Sequence, residues 1–264
     1  MDTIDAVSPS RALLDRVRAL AQTAGTAILE IYAREDFGAA RKSDGSPVTL
    51  ADAAAERIIL DGLATLTPGV PVIAEEAHSA GHVPDVSGGR FWLVDPLDGT
   101  REFLNRNGEF TVNIALVEGG QPVLGVVHAP ALGLTYAGSL ANGAEISDGD
   151  DPPRRIAART VPAEGVTVVC SRRHGDPEKL ARFLGGRKVA AERQIGSSLK
   201  LCLVAAGEAD LYPRYGRTME WDTAAGQAVV AAAGGIVTDT DGAPLVYGKP
   251  GFENPEFIVW GKRR

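Results

Sequence analysis

The chain has 264 residues, with 27 Lys and Arg against 34 Asp and Glu, and a formal net charge of −7. That acidic balance argues against bulk electrostatic binding to nucleic acid or anionic lipid, so an anionic substrate must be met by local groups. An apolar share of 44% with 23% charged residues excludes disordered and coiled-coil classes and leaves one large domain or two fused lobes.

Cys170 and Cys202 lack any CxxC or Cys/His spacing, which suggests a reducing compartment and neither a disulfide framework nor a structural zinc. The start, Met1-Asp2-Thr3-Ile4-Asp5, is acidic and unlike a secretory signal, so a cytoplasmic setting is expected, with peripheral contact at the inner membrane left open. The longest uncharged stretch, Thr223 to Thr238, is shorter than the roughly 18 residues of a membrane span and reads as a buried helix running into a strand. No integral membrane segment is expected. Monomer and homodimer are not distinguished.

Apolar residues from Leu13 to Ile31 recur at three- and four-residue steps, predicting a helix from Ser10 to Ala33. A turn is expected over Lys42-Ser43-Asp44-Gly45-Ser46-Pro47, then a helix from Thr49 to Leu66 with Ala53, Ala54, Ile58, Ile59 and Leu63 on its apolar side. Short strands follow at Val70 to Ala74, ending in Glu75-Glu76, and at Phe91 to Val94, ending at Asp95-Pro96. Phe110 to Val117, Pro122 to His128 and Leu134 to Ala137 read as an antiparallel meander.

The polar stretch Asn142 to Pro162 is the expected seam between an N-terminal α+β lobe, residues 1–140, and a C-terminal α/β lobe, residues 141–264. In the second lobe, strands are expected at Val166 to Cys170, Lys188 to Gln194, Ala209 to Tyr212 and Ile236 to Thr238. Helices are expected at Pro177 to Leu184, Ser198 to Ala206 and Thr223 to Ala233. The basic end, Lys262-Arg263-Arg264, reads as a solvated tail.

The most informative segment is Trp92-Leu93-Val94-Asp95-Pro96-Leu97-Asp98-Gly99-Thr100. Pro96 has no N–H to donate and stops the ladder, leaving two carboxylates, Asp95 and Asp98, in one tight turn. Either turn amides and solvent satisfy them, or divalent cations sit between them. Glu75 and Asp222 are further oxygen donors, the latter also readable as a helix N-cap. Backbone N–H groups at Gly99-Thr100 can seat a phosphate without a basic patch.

Thr49-Leu50-Ala51-Asp52 fits a capping box, which makes Asp52 first a cap of its own helix. Gly196-Ser197-Ser198-Leu199-Lys200 reads as a serine-capped helix start, or as an anion seat beside Lys200. Tyr212-Pro213-Arg214-Tyr215 sets a cation among aromatic rings. His78, His82, His128 and His174 show no ligand spacing and are expected in loops or at the surface.

In order, Glu75-Glu76, Asp95 to Thr100 and Trp221-Asp222 resemble the signature blocks of the inositol monophosphatase superfamily of lithium-sensitive, magnesium-dependent phosphatases. Lys42-Ser43-Asp44 with Pro47-Val48-Thr49 and Ala51-Asp52 is similar to its first block. Arg101-Glu102-Phe103, Asn107 to Leu116, Gly196 to Lys200 and Leu211-Tyr212-Pro213-Arg214 resemble its bisphosphate nucleotidase branch, from which Arg217-Thr218-Met219-Glu220 departs.

The resemblance implies an α/β fold, a layered αβαβα sandwich, and two or three Mg²⁺ per active site. Glu75, Asp95 and the Leu97 carbonyl would hold one Mg²⁺, and Asp95, Asp98 and Asp222 a second. Asp52 and Thr100 would orient a water. The substrate side would comprise Glu75, Asp98, Gly99, Thr100, Arg101, Gly196, Ser197, Ser198, Lys200, Arg214 and Asp222. The implied partner is a small phosphorylated molecule, adenosine 3',5'-bisphosphate, hydrolysed to AMP in the clearance of a by-product of sulfate assimilation. The residues leave open inositol-1-phosphate or fructose-1,6-bisphosphate hydrolysis on the same metals, and a non-catalytic nucleotide- or Mg²⁺-sensing module.

Overall fold

The computed structural model describes residues 9–41, 47–172 and 176–262. Lys42-Ser43-Asp44 of the expected first block, His174 and the end of the basic tail lie outside these residues. Helix α1 (Arg11–Tyr32) is capped by Ser10, whose hydroxyl accepts from Leu13 N, and buries Leu14, Val17, Ala21, Ala24, Ile28 and Ile31. The two-residue strands β1 (Ala40–Arg41) and β2 (Pro47–Val48) pair antiparallel ahead of α2 (Leu50–Leu66).

Helix α2 is rolled relative to the apolar side expected from its sequence. Ala53 faces solvent, while Asp52 and Glu56 join Ala51, Ala55, Ile59 and Leu63 on the buried side. The carboxylates go inside because backbone N–H groups there need acceptors, a demand that composition does not reveal.

Strands β3 (Val72–Ala74), β4 (Arg90–Asp98), β5 (Thr111–Glu118), β6 (Gln121–Ala129), β7 (Leu134–Ser139), β8 (Gly143–Asp148) and β9 (Arg154–Ile156) form one sheet in that order. Only β3 and β4 pair parallel; the rest is an antiparallel meander. Both faces are covered. Trp92, Val94, Ile114 and Val126 face α1 and α2, whereas Phe91, Leu93, Ala115 and Val127 face the opposite layer. Two-sided burial explains why Phe91-Trp92-Leu93-Val94 is an unbroken apolar run.

Short helices α3 (Glu75–Ser79) and α4 (Thr100–Leu104) sit at the ends of β3 and β4. Beyond the meander lie β10 (Val166–Cys170), α5 (Pro177–Leu184), β11 (Val189–Gln194), α6 (Leu199–Ala205) and β12 (Leu211–Arg214). They are followed by β13 (Thr218–Met219), α7 (Glu220–Ala232), β14 (Ile236–Asp239), β15 (Glu253–Asn254) and β16 (Phe257–Trp260). The second sheet has the order β11-β10-β12-β16-β14. Leu180, Phe183 and Leu184 of α5 pack on its outer face, and α6 and α7 fill the space between the sheets. The result is the expected αβαβα stack.

Two expectations change. The polar stretch after residue 140 is no seam: it supplies β8 and β9 to the first sheet, which runs on to Ile156. Its polarity misled because Glu145, buried at 4% exposure, pairs with Arg11 and Arg18 of α1. The second change is β16, which sequence pattern left unassigned and which runs antiparallel between β12 and β14.

Helix α7 lies unusually close to the first sheet. A Cβ at Gly125 of β6 would stand 2.3 Å from the Ala225 carbonyl oxygen, and one at Gly138 of β7 would stand 2.9 Å from Ala232 Cβ. The Ala- and Gly-rich stretch after Trp221 is therefore a packing requirement.

His128 corrects the expectation that every histidine lies in a loop or at the surface; His82 is exposed, but His128 is buried within β6. Its Nδ1 donates to the Leu134 carbonyl at 3.2 Å and lies 2.9 Å from Thr135 Oγ1, with the ring against Gly25. Burial, partly offset by that carbonyl, lowers its pKa to about 4. The unfolded chain takes up the proton near 6.5, so the stability contributed by neutral His128 is complete above that pH and is lost as pH falls towards 4. Between pH 7.5 and 4.5, urea unfolding should show wild type losing about 2.5 kcal/mol more than His128→Gln. Parallel losses would contradict this assignment.

Candidate active site

Four acidic groups meet where β3, β4 and α7 end. Glu75 is the first residue of α3; Asp95, Leu97 and Asp98 close β4; Asp222 lies in the first turn of α7. Pro96 interrupts the ladder without ending it: Asp95 pairs with Asn113 and Asp98 with Thr111, while Pro96 and Leu97 are skipped by a register shift. Asp98 lines a cleft, while Asp95 is buried close enough to feel the charges of Glu75, Asp98 and Asp222. Asp222 is not an N-cap, because the helix starts at Glu220; its Oδ2 reaches back to accept from Met219 N at 2.8 Å.

The cluster is electrostatically costly on its own. Burial, then the charges of Glu75, Asp98 and Asp222, push the Asp95 carboxyl well above its ordinary range, and Asp95 is 1% exposed. Burial, Asp98 and Glu75 do the same to Asp222. Asp98 is also raised by burial, but Lys200 and the Ser198 hydroxyl pull it back. Lys200 is itself buried, which lowers its pKa to about 8 against the opposing pull of Asp98.

An all-oxygen set of mutually repelling carboxylates fits a hard divalent cation. Among the described residues no three such groups stand at ligand spacing. Asp95 Oδ1 accepts from Leu97 N at 3.0 Å, Asp98 Oδ2 lies 2.9 Å from Ser198 Oγ, and the Leu97 carbonyl accepts from Thr100 Oγ1 at 3.4 Å. The donors fit the ion by chemistry.

Asp52 forms the expected capping box, its Oδ2 accepting from Thr49 N and Thr49 Oγ1, both at 2.7 Å. Burial outweighs these hydrogen bonds and raises its pKa to about 7. Gly99, the N-cap of α4, has φ 93°, and a Cβ there would meet the Glu109 carbonyl at 3.2 Å, so glycine is required. Thr100 and Arg101 follow it along the cleft wall.

The Gly196 to Lys200 segment differs from a serine-capped start. Ser198 makes no side-chain cap; its Oγ accepts from Asn113 Nδ2 at 2.9 Å and lies 2.7 Å from the Asp222 carbonyl, as well as near Asp98. With one proton for two acceptors, Ser198 ties β4, β5 and α7 together. Ser197 sits at φ 47°, a left-handed conformation uncommon for serine. Two bonds hold that turn: Lys200 Nζ to the Ser197 carbonyl at 2.6 Å, and Gly196 N to Glu109 Oε2 at 2.7 Å. Lys200 also lies over the Tyr212 ring, while the Arg214 guanidinium reaches the Gly216 and Arg217 carbonyls.

Glu75, Asp98, Gly99, Thr100, Arg101, Gly196, Ser197, Ser198, Lys200, Arg214 and Asp222 line one cleft of about 270 Å³, with Ile195, Tyr212 and Phe257 on its apolar side. Sequence reasoning gave no role to Glu109, which also pairs bidentately with Arg172, or to Asn113. Both lie inside the Asn107 to Leu116 block, the only signal that could have marked them.

The inositol monophosphatase family pattern matches residues 11–258. The chain belongs to that family. Within it, the chain is 49% identical to the 3'(2'),5'-bisphosphate nucleotidase CysQ of Escherichia coli K12 over 94% of this chain and 99% of the relative. It is 32% identical to CysQ of Haemophilus influenzae over 94% and 93%. Among solved family structures, CysQ from Bacteroides thetaiotaomicron superposes with a TM-score of 0.80 at 38% identity, covering 95% of this chain and 98% of that one. An IMPase of Thermotoga maritima gives 0.75 at 29% identity, covering 94% and 91%. Among the described residues no helix is long and apolar enough to cross a membrane.

Proposed function

We propose that this chain is a Mg²⁺-dependent phosphatase that removes the 3'-phosphate of adenosine 3',5'-bisphosphate, giving AMP and phosphate. The observation that carries this reading is one cleft with two chemistries. Carboxylates that fit cations share its lining with Lys200 and Arg214 and with Ile195, Tyr212 and Phe257, a combination suited to an anionic nucleoside rather than a polyol. The bisphosphate nucleotidase activity for which the CysQ relative is named, at 49% identity over 94% of this chain, supports the same substrate.

Glu75, Asp95 and the Leu97 carbonyl would hold one Mg²⁺, and Asp95, Asp98 and Asp222 a second. Bound there, the metal supplies Lewis-acid activation of water and offsets the charge of the transferring phosphoryl group. Asp52, titrating near 7, accepts a proton at neutral pH, and Thr100 orients the same water through its hydroxyl. Gly99, Thr100 and Arg101 receive the phosphate. Ser198 fixes Asp98 against α7, and Gly196, Ser197, Lys200 and Arg214 form the nucleotide side. The two free thiols, Cys170 and Cys202, accord with a cytoplasmic setting.

Phosphate release from adenosine 3',5'-bisphosphate, inositol-1-phosphate and fructose-1,6-bisphosphate tests this reading. One charged contact retained in the transition state is worth roughly 1.5–3 kcal/mol, so kcat/KM for the bisphosphate nucleotide should exceed the others by about 10- to 150-fold. Equal values with inositol-1-phosphate would replace it by inositol phosphate hydrolysis. No turnover of any substrate would leave a sensing module.

A further inference from the structure

Glu56 lies one turn beyond Asp52 on α2, on the same buried side, and is not among the residues that line the cleft. Its carboxylate spans the first turn of α3: Oε2 accepts from Glu76 N at 2.8 Å and Oε1 from Ala77 N at 2.9 Å. Helix α3 is five residues long, buries no residue fully and has no side-chain cap of its own from its N-cap residue, Ala74. A helix this short has little intrinsic stability, so outside contacts decide where it sits. Two are evident. Glu56 grips its N-terminal amides, and the His78 ring packs against Trp221 at 5.0 Å, joining the other end to α7.

Glu75 is the residue immediately before the two gripped amides. A carboxylate held by two backbone N–H groups within one and two residues fixes the chain at the point where the Glu75 side chain departs. The chain thereby spends a second buried acid, 7% exposed, beside an already crowded acidic cluster. That is an expensive arrangement unless it secures the placement of Glu75.

We infer that Glu56 is a positioning residue for metal binding: by clamping the amides of Glu76 and Ala77, it holds Glu75 at the cation site without touching the cation. This rests on the assignment of Glu75 as a metal ligand. His78 is the second, weaker anchor of the same helix.

Calorimetric titration of Mg²⁺ into wild type, Glu56→Gln, His78→Ala and Glu75→Gln tests it, alongside kcat at saturating Mg²⁺ and thermal unfolding in EDTA. Glu56→Gln keeps the shape and one acceptor but turns an NH₂ towards an amide. It should raise the Mg²⁺ Kd on the order of tenfold or more while leaving kcat at saturating Mg²⁺ within about threefold. His78→Ala should raise Kd about threefold, and it decides the matter if Glu56→Gln does not fold. A lowered Tm with Kd unchanged in both variants overturns the positioning role when Glu75→Gln does weaken binding. If Glu75→Gln also leaves Mg²⁺ binding unchanged, the assignment of Glu75 falls, and this inference falls with it.

Discussion

Asp95→Asn should lower kcat by on the order of a thousandfold or more at saturating Mg²⁺, about 4 kcal/mol of transition-state stabilisation. Asp95 is the one side chain assigned to both cations, so its charge has no substitute in Glu75, Asp98 or Asp222. The same change should not unfold the protein. Asn keeps the oxygen that accepts from Leu97 N and removes one of four mutually repelling charges at a site 1% exposed. In EDTA the variant should therefore melt no lower than wild type, because burial and like charge make ionised Asp95 a net cost to the metal-free chain. Kinetics with added Mg²⁺ and thermal melts without it separate the two effects. Activity within tenfold of wild type would remove the shared-ligand assignment.

Gly125→Ala should have the largest effect on stability. The added methyl would lie 2.3 Å from the Ala225 carbonyl oxygen and 2.7 Å from Ala228 Cβ, both on α7. Neither is the flexible end of a side chain, so the helix must move off the sheet or bend. Overpacking of this kind costs about 3 kcal/mol, which for a chain of this size lowers Tm by about 10 °C. Gly88→Ala is the control: a Cβ there meets nothing within 4 Å, and the substitution should stay within about 0.5 kcal/mol. Equal melting of the two variants would mean that α7 is not held against β6 as described. Activity should fall with stability in Gly125→Ala, since Asp222 rides on the displaced helix.

Periodicity is a sound guide for α1, whose apolar stripe faces the sheet while the opposite side meets water. The β5 to β7 meander is buried on both faces and is legible from its apolar runs and the glycine turns between them. Helix α2 was rolled the wrong way because the decisive inward residues, Asp52 and Glu56, are acids whose partners are backbone amides. The same blindness hid β8, where Glu145 is buried against two arginines from a distant helix. At the candidate site, Asp95, Asp98 and Asp222 stood out because they fall in order within blocks that resemble the family's signature, although each alone also reads as a turn or capping residue. Glu109 and Asn113 did not, since their work is to hold other residues, and nothing in local sequence says which amide or hydroxyl they will meet. His128 was misplaced for a related reason: a histidine carries no mark of whether its ring will be solvated or buried against a glycine.

The layer formed by α6 and α7 belongs to both sheets at once. Phe91, Leu93 and Val127 of the first sheet share one continuous core with Tyr212, Val237 and Val259 of the second, through Ala224, Ala225 and Val229 of α7. Melting either sheet would strip water-excluding cover from the other, so calorimetry should show one cooperative transition for both. On the proposed assignment, Glu75 to Asp98 and Lys200 to Asp222 would then lose their mutual register in the same event, and a fragment cut between the sheets should retain no partial site. A metal-holding half and a substrate-holding half should therefore not survive separation, although the sequence invites that division.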